Sequence, residues 1–143
     1  MPSYEAKLLY NMKGTVHTMG RGSDKLLEVE KGLQSSDDPE KMLHLLFNLI
    51  NFKQANTDIY FLLNKSEKPL TVRDIYTKLP YSERTIRTYL GVLSDKEYIK
   101  KIPTLRERPC FAYKSIPPKE VWGLMVEQLR RIKHEAGKTF KSL

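Results

Sequence analysis

The residues best suited to chemistry lie in one run, Ser82-Glu83-Arg84-Thr85-Ile86-Arg87-Thr88. An arginine presents paired donors that match a phosphate or the O6/N7 edge of guanine. A threonine can bond a phosphate or touch a thymine methyl. The chemistry on offer is recognition of anions rather than bond making. A second set follows in Lys100 and Lys101 and in Arg106 and Arg108, which bracket Glu107 before Pro109. Thr71 and Arg73 precede the run and stand where they could clamp a phosphate backbone.

The charge distribution agrees with that chemistry. The formal net charge is +8, and residues 70–116 hold ten Lys and Arg against five acids, whereas residues 1–38 hold five against six. Residues 39–69 hold four against three and residues 117–143 six against three. Excess cation gathered in one middle segment is the footprint of a polyanion-facing surface. The 40% hydrophobic and 29% charged content belongs to a globular chain. No apolar run reaches the ~20 residues that span a bilayer, and no secretory leader is evident. The single cysteine, Cys110, leaves no internal disulfide framework, so a cytoplasmic, reducing location is expected.

These cations need elements to position them. Ser82 is a helix cap, and the helix it opens runs to about Lys96. With Ile86 at angle zero and 100° per residue, Leu90 and Leu93 fall within about 40° of it. Arg84, Thr88, Gly91 and Asp95 fall on the opposite side, with Thr85 and Arg87 on the flanks. One face is built for a core and the other for display. Upstream, Thr71 and Asp74 have the spacing of a reciprocal cap for a short helix carrying Val72, Ile75 and Leu79, which Pro80 ends. Downstream, residues 98–102 and 110–114 are β-prone and flank a charged tip, a two-stranded hairpin. A helix capped by Asp38 carries Met42 to Phe52, and another is expected from Thr57-Asp58 to about Asn64. Pro117 and Pro118 precede a last helix, near 119–140, whose Trp122, Met125, Leu129, Ile132 and Ala136 repeat with heptad spacing.

A short helix, a tight turn, a capped second helix and a basic-tipped hairpin is the order of a winged helix-turn-helix. The expected fold is therefore mainly α with a small β-hairpin (α+β), plus extra N-terminal and long C-terminal helices. Residues 1–38 are expected to form an arm of uncertain structure, 39–116 the DNA-binding domain and 117–143 a dimerisation helix. Such a fold lays the N-terminal turns of its second helix in the major groove. The expected DNA contacts are Thr71, Arg73, Ser82, Arg84, Thr85, Arg87, Thr88, Lys100, Lys101, Arg106 and Arg108. The expected dimer contacts are Trp122, Met125, Leu129, Ile132 and Ala136.

The stretch from Thr57 to Val121, with "PLTVRDIYTKLPYSERTIRTYLGVLSDKEYIKKI" and "RPCFAYKSIPPKEV", resembles archaeal winged-helix transcription regulators of the TrmB-like and MarR-like kind. The resemblance implies a homodimer with paired recognition helices that regulates transcription, reading duplex DNA through Arg84, Thr85, Arg87 and Thr88. It covers a little under half the chain.

Other functions find less support. His17, His44 and His134 are far apart and share one cysteine, so no metal spacing arises. Gly20-Arg21-Gly22 lacks the rest of a phosphate-cradling motif. No enzyme activity, cofactor, metal or membrane partner is expected, and the sequence does not speak to a small-molecule effector. The first rival is a winged-helix module for protein contact in a basal transcription or chromatin assembly. The second is an RNA-binding factor, for which the Phe111/Tyr113 hairpin is too small a stacking platform.

Overall fold

The computed structural model describes residues 24–105 and 109–142. Along them run α1 (Lys25–Ser35), α2 (Pro39–Leu49), α3 (Gln54–Lys65), β1 (Leu70–Thr71), α4 (Val72–Lys78), α5 (Glu83–Asp95), β2 (Ile99–Leu105), β3 (Pro109–Ser115) and α6 (Pro118–Lys141). The three strands form one antiparallel sheet in the order β1-β3-β2. This is a mainly helical α+β fold with the helix-turn-helix and wing in the expected order.

Local chemistry sets most helix starts. Asp24 accepts from the Leu27 amide to open α1, and Asp38 accepts from the Glu40 amide to open α2 with Pro39 in its first turn. The N-terminal arm expected over residues 1–38 is thus helical from Lys25, and its earlier part lies outside the described residues. Gly32 lets α1 approach α2 closely, since a Cβ there would stand 2.7 Å from Leu45 Cδ1. Asn51 ends α2 with a left-handed φ of 65°, so Phe52 folds back and its amide donates to the Phe47 carbonyl. The expected run of that helix to Phe52 is therefore cut short.

Helix α3 starts three residues before the expected Thr57-Asp58 cap. Asn56, a third-position residue, accepts from the Lys53 amide, a local bond that supplies the start without a Ser, Thr or Asp ahead of it. Thr57 lies inside the helix and is buried. The expected reciprocal cap of α4 is present: Asp74 donates its amide to Thr71 Oγ1, and Asp74 Oδ2 accepts from the Thr71 amide. The two-residue strand β1 adds a third strand to the expected hairpin, pairing Leu70 with Tyr113 and Thr71 with Ala112. Two residues are too few for an alternating pattern to announce a strand.

The core gathers Phe47, Tyr60 and Tyr98 with Ile59, Leu63, Ile75 and the inner face of α5. Ile86, Leu90 and Leu93 are 0%, 2% and 0% exposed. Tyr60 is fully enclosed and donates its hydroxyl to the Ile116 carbonyl at 2.6 Å, tying α3 to the end of the wing. Burial pushes that phenol well above its ordinary pKa. Val121 and Met125 fix the start of α6 in the same core, and from Glu127 to Lys141 every residue but Gly137 is exposed.

His44 stacks on Phe61 with ring centroids 4.1 Å apart and planes 7° off parallel. Burial against that ring lowers its pKa below 6.5, over the upward pull of Glu40, Asp58 and Asp38.

Two tests follow from this packing. Ile86→Ala should destabilise the fold by about 2–5 kcal/mol in chemical denaturation, whereas Arg87→Ala one position on should stay within about 0.5 kcal/mol. Because the folded state favours neutral His44, stability should fall as pH drops through the unfolded value of 6.5 and level off below the folded one. His44→Phe should lose less stability than the parent between neutral and mildly acidic pH. Equal losses would show that the imidazole is not the responsive group.

Candidate nucleic-acid interface

Helix α5 carries the arginines, and its geometry follows from its cap and its inner stripe. Ser82 accepts from the Thr85 amide at 3.1 Å and donates its hydroxyl to Thr85 Oγ1 at 2.9 Å. Thr88 donates to the Arg84 carbonyl at 2.9 Å, which holds its hydroxyl along the helix. Arg84, Arg87, Thr88, Gly91 and Asp95 are exposed and Thr85 is half-buried, opposite the sunken Ile86, Leu90 and Leu93. Among the described residues neither Arg84 nor Arg87 is held in an ion pair. Two guanidinium groups therefore stand in water at the N-terminal half of the helix.

The turn before α5 is anchored from behind. Tyr81 donates to Asp58 Oδ2 at 2.6 Å, and Gln54 Nε2 donates to the other oxygen of the same carboxylate at 2.6 Å. Burial and the Asp58 hydrogen bond hold the Tyr81 phenol in its neutral form. This clamp fixes where Ser82 begins the helix. Nothing in the sequence beside Tyr81 announces this bond. Its carboxylate partner lies 23 residues away, and no local signal joins the two.

The other expected contacts divide. Thr71 is only 7% exposed and its hydroxyl is committed to the Asp74 amide, so it does not present a free group to a phosphate. That corrects the expectation of a backbone clamp there, since the cap consumes the same oxygen. Arg73, two residues on, is exposed, as is the aromatic Tyr76 on the same short helix. Lys100 and Lys101 are exposed on β2, and Lys101 Nζ sits 4.0 Å from the centroid of the exposed Phe111 ring across the wing. Arg106 and Arg108 lie outside the described residues. Lys114, opposite Lys100 in the ladder, turns inward, and its ammonium donates to the Leu63 carbonyl at 3.2 Å and to the Ser66 carbonyl. It thereby caps the negative end of α3.

Of the five residues expected at a dimer contact, Met125 is buried in the chain's own core. Trp122, Leu129, Ile132 and Ala136 are exposed along α6. Among the described residues no helix is long and apolar enough to cross a membrane, and no cluster of His, Cys, Asp or Glu could hold a metal ion.

No protein-family model matches the chain, and no curated protein matches it. Among solved structures, an ArsR-like transcriptional regulator from Rhodococcus sp. RHA1 is similar over 70% of this chain and 87% of that one, with 17% identity and a TM-score of 0.46.

Gly91 sharpens the interface. It lies mid-helix on the exposed face, and a Cβ there would meet nothing within 4 Å. Alanine would suit the isolated helix better by about 0.5–1 kcal/mol, so no contact within the described residues calls for glycine. Gly91→Ala should raise thermal stability and, if a duplex backbone or base edge approaches this face, weaken DNA binding. Higher stability with undiminished binding would place Gly91 outside the contact.

Proposed function

We propose that this chain is a double-stranded DNA-binding transcription regulator that acts as a homodimer without a catalytic step, in a reducing cytoplasm. The observation that carries the reading is α5 itself, with one side sunk in the core and Arg84 and Arg87 bare on the other. The N-terminal half of that helix enters the major groove. Arg84 and Arg87 bond base edges, Thr85 and Thr88 contact phosphate or a thymine methyl, and the free amides near Ser82 receive a phosphate. Arg73, Lys100 and Lys101 supply phosphate contacts that set position rather than sequence, and we assign Arg106 and Arg108 the same role. Thr71 contributes by fixing the start of α4, not by direct contact. A two-fold dimer through α6 would set paired recognition helices about 34 Å apart, one turn of DNA. Within winged-helix regulators, the stretch from Pro69 to Ile102 favours the archaeal TrmB-like and MarR-like kind.

A second reading, a winged-helix subunit of a basal transcription or chromatin assembly, draws on the apolar surface of the wing. Leu105 is 90% exposed, and Phe111 is exposed on the same face of the wing. Such a subunit would need a protein partner to be stable on DNA.

Selection from random duplexes separates the two readings, because a regulator retains a preferred sequence by itself. Affinity for the selected duplex should fall linearly on a log–log plot against salt, with a slope of about −0.9 per phosphate neutralised. Arg84→Ala or Arg87→Ala should cost about 1–3 kcal/mol on the preferred duplex and much less on unrelated sequence. Equal loss on all duplexes would reduce both arginines to backbone contacts, and a flat salt plot would reject DNA as the ligand.

A further inference from the structure

Helix α6 poses a problem that its own fold does not solve. Fifteen residues, Glu127 to Lys141, extend beyond the core, and a helix of that length is marginal in water without a partner surface. Its apolar stripe continues from Trp122 (47% exposed) through Leu129 (57%) and Ile132 (56%) to Phe140 (70%). At the other end of that stripe lies an open apolar groove of about 380 Å³ between α1, α2 and the start of α6. Leu33, Met42, Leu46, Pro118 and Trp122 line it. One molecule thus offers a bare apolar ridge and an empty apolar trough, joined at Trp122.

We infer that the groove beside Trp122 receives Phe140 of a second copy of this chain, so that each α6 ends on the partner's α1–α2 surface. This rests on the homodimer reading above and specifies how the two copies meet. Length supports it. Trp122 and Phe140 are eighteen residues apart, about 27 Å along a helix. In an antiparallel two-fold pair that sets residue 140 beside residue 122, the crossing falls at residue 131, between Leu129 and Ile132. The same axis therefore brings together the two apolar residues in the middle of the stripe. Arg131 points away from that stripe, so the crossing need not juxtapose the two guanidinium groups.

Charge supports the same occupant. Residues 24–40, which form α1 and the entry to α2, hold six carboxylates against Lys25 and Lys31. Residues 130–141 hold five cations against Glu135. The 24–40 segment beside the trough carries a net −4, with Lys119 a cation in the trough's own lining, and the end of the ridge carries a net +4. Two chains of net charge +8 repel as wholes, and this pairing sets the acidic part of each against the basic end of the other. Glu40 is paired with Lys65 at 3.4 Å, and on the ridge Arg130 is paired with Glu127 and Lys138 with Glu135, so the attraction is between the net fields of the two surfaces and not between unpaired charges.

Trp122, the only tryptophan, reports on the trough directly. Sedimentation equilibrium of the full chain should show a dimer, and Trp122 emission should shift to shorter wavelength as concentration rises through the dissociation constant. Phe140→Ala, at an exposed site, should leave the circular dichroism of the core unchanged. It should weaken the dimer about tenfold or more and abolish the emission shift. In a Cys110→Ser background, Met42→Cys with Phe140→Cys should form an intermolecular disulfide under mild oxidation. Raising salt above ~0.1 M should weaken the dimer further. A wild-type chain that stays monomeric would overturn both the homodimer reading and this one. A dimer that ignores Phe140→Ala, keeps Trp122 emission constant and gives no disulfide would overturn the docking alone.

Discussion

Burial of Ile86, Leu90 and Leu93 against α3 and the Phe47–Tyr60–Tyr98 cluster is the constraint on which the rest of the molecule depends. Three aliphatic side chains fully withdrawn from water are worth roughly 5–9 kcal/mol by area, an upper figure because the unfolded chain already hides part of them. That is comparable to the whole net stability of a small domain. The rotation of α5 about its axis is therefore not adjustable. With one face committed, Arg84, Arg87, Thr88 and Gly91 have nowhere to go but outward. The Tyr81–Asp58–Gln54 clamp fixes the remaining freedom, the position of the helix along its own axis.

Elements that declare themselves within a few residues were legible in advance. The Thr71/Asp74 reciprocal cap, the Ser82 cap and the Ile86/Leu90/Leu93 stripe are all contained in one short window, and each is where periodicity and capping chemistry put it. Features that depend on distant partners were not. The start of α3 hinges on an asparagine bonding backward to Lys53, a geometry that looks the same in sequence as an ordinary polar residue. Strand β1 exists only because β3, some forty residues on, presents an edge for it. The same limit governs the candidate site. The exposure of Arg84 could be read from helical angles, but the withdrawal of Thr71 followed from the burial of its neighbours, which no angle reports.

Charge and packing divide the chain along its length. The middle of the molecule combines a well-filled core with a cationic surface, whereas its two flanking helical regions combine opposite charge with apolar side chains that their own fold leaves uncovered. A chain that kept only its stability would gain from alanine at Gly91 and polar residues at Leu129 and Ile132. That these positions are instead helix-weakening or water-averse fits surfaces shaped by contact with something other than the chain itself.

Lys114 has a consequence for the wing. Side chains of a strand alternate between faces, so sliding β3 by one residue against β2 would swing this ammonium away from the Leu63 and Ser66 carbonyls and strand it on the other side. A pair of strands without such an anchor would be freer to creep along one another. Lys114 acts as a bolt against that creep, and so meters how far Lys100 and Lys101 stand from the helix that carries the arginines.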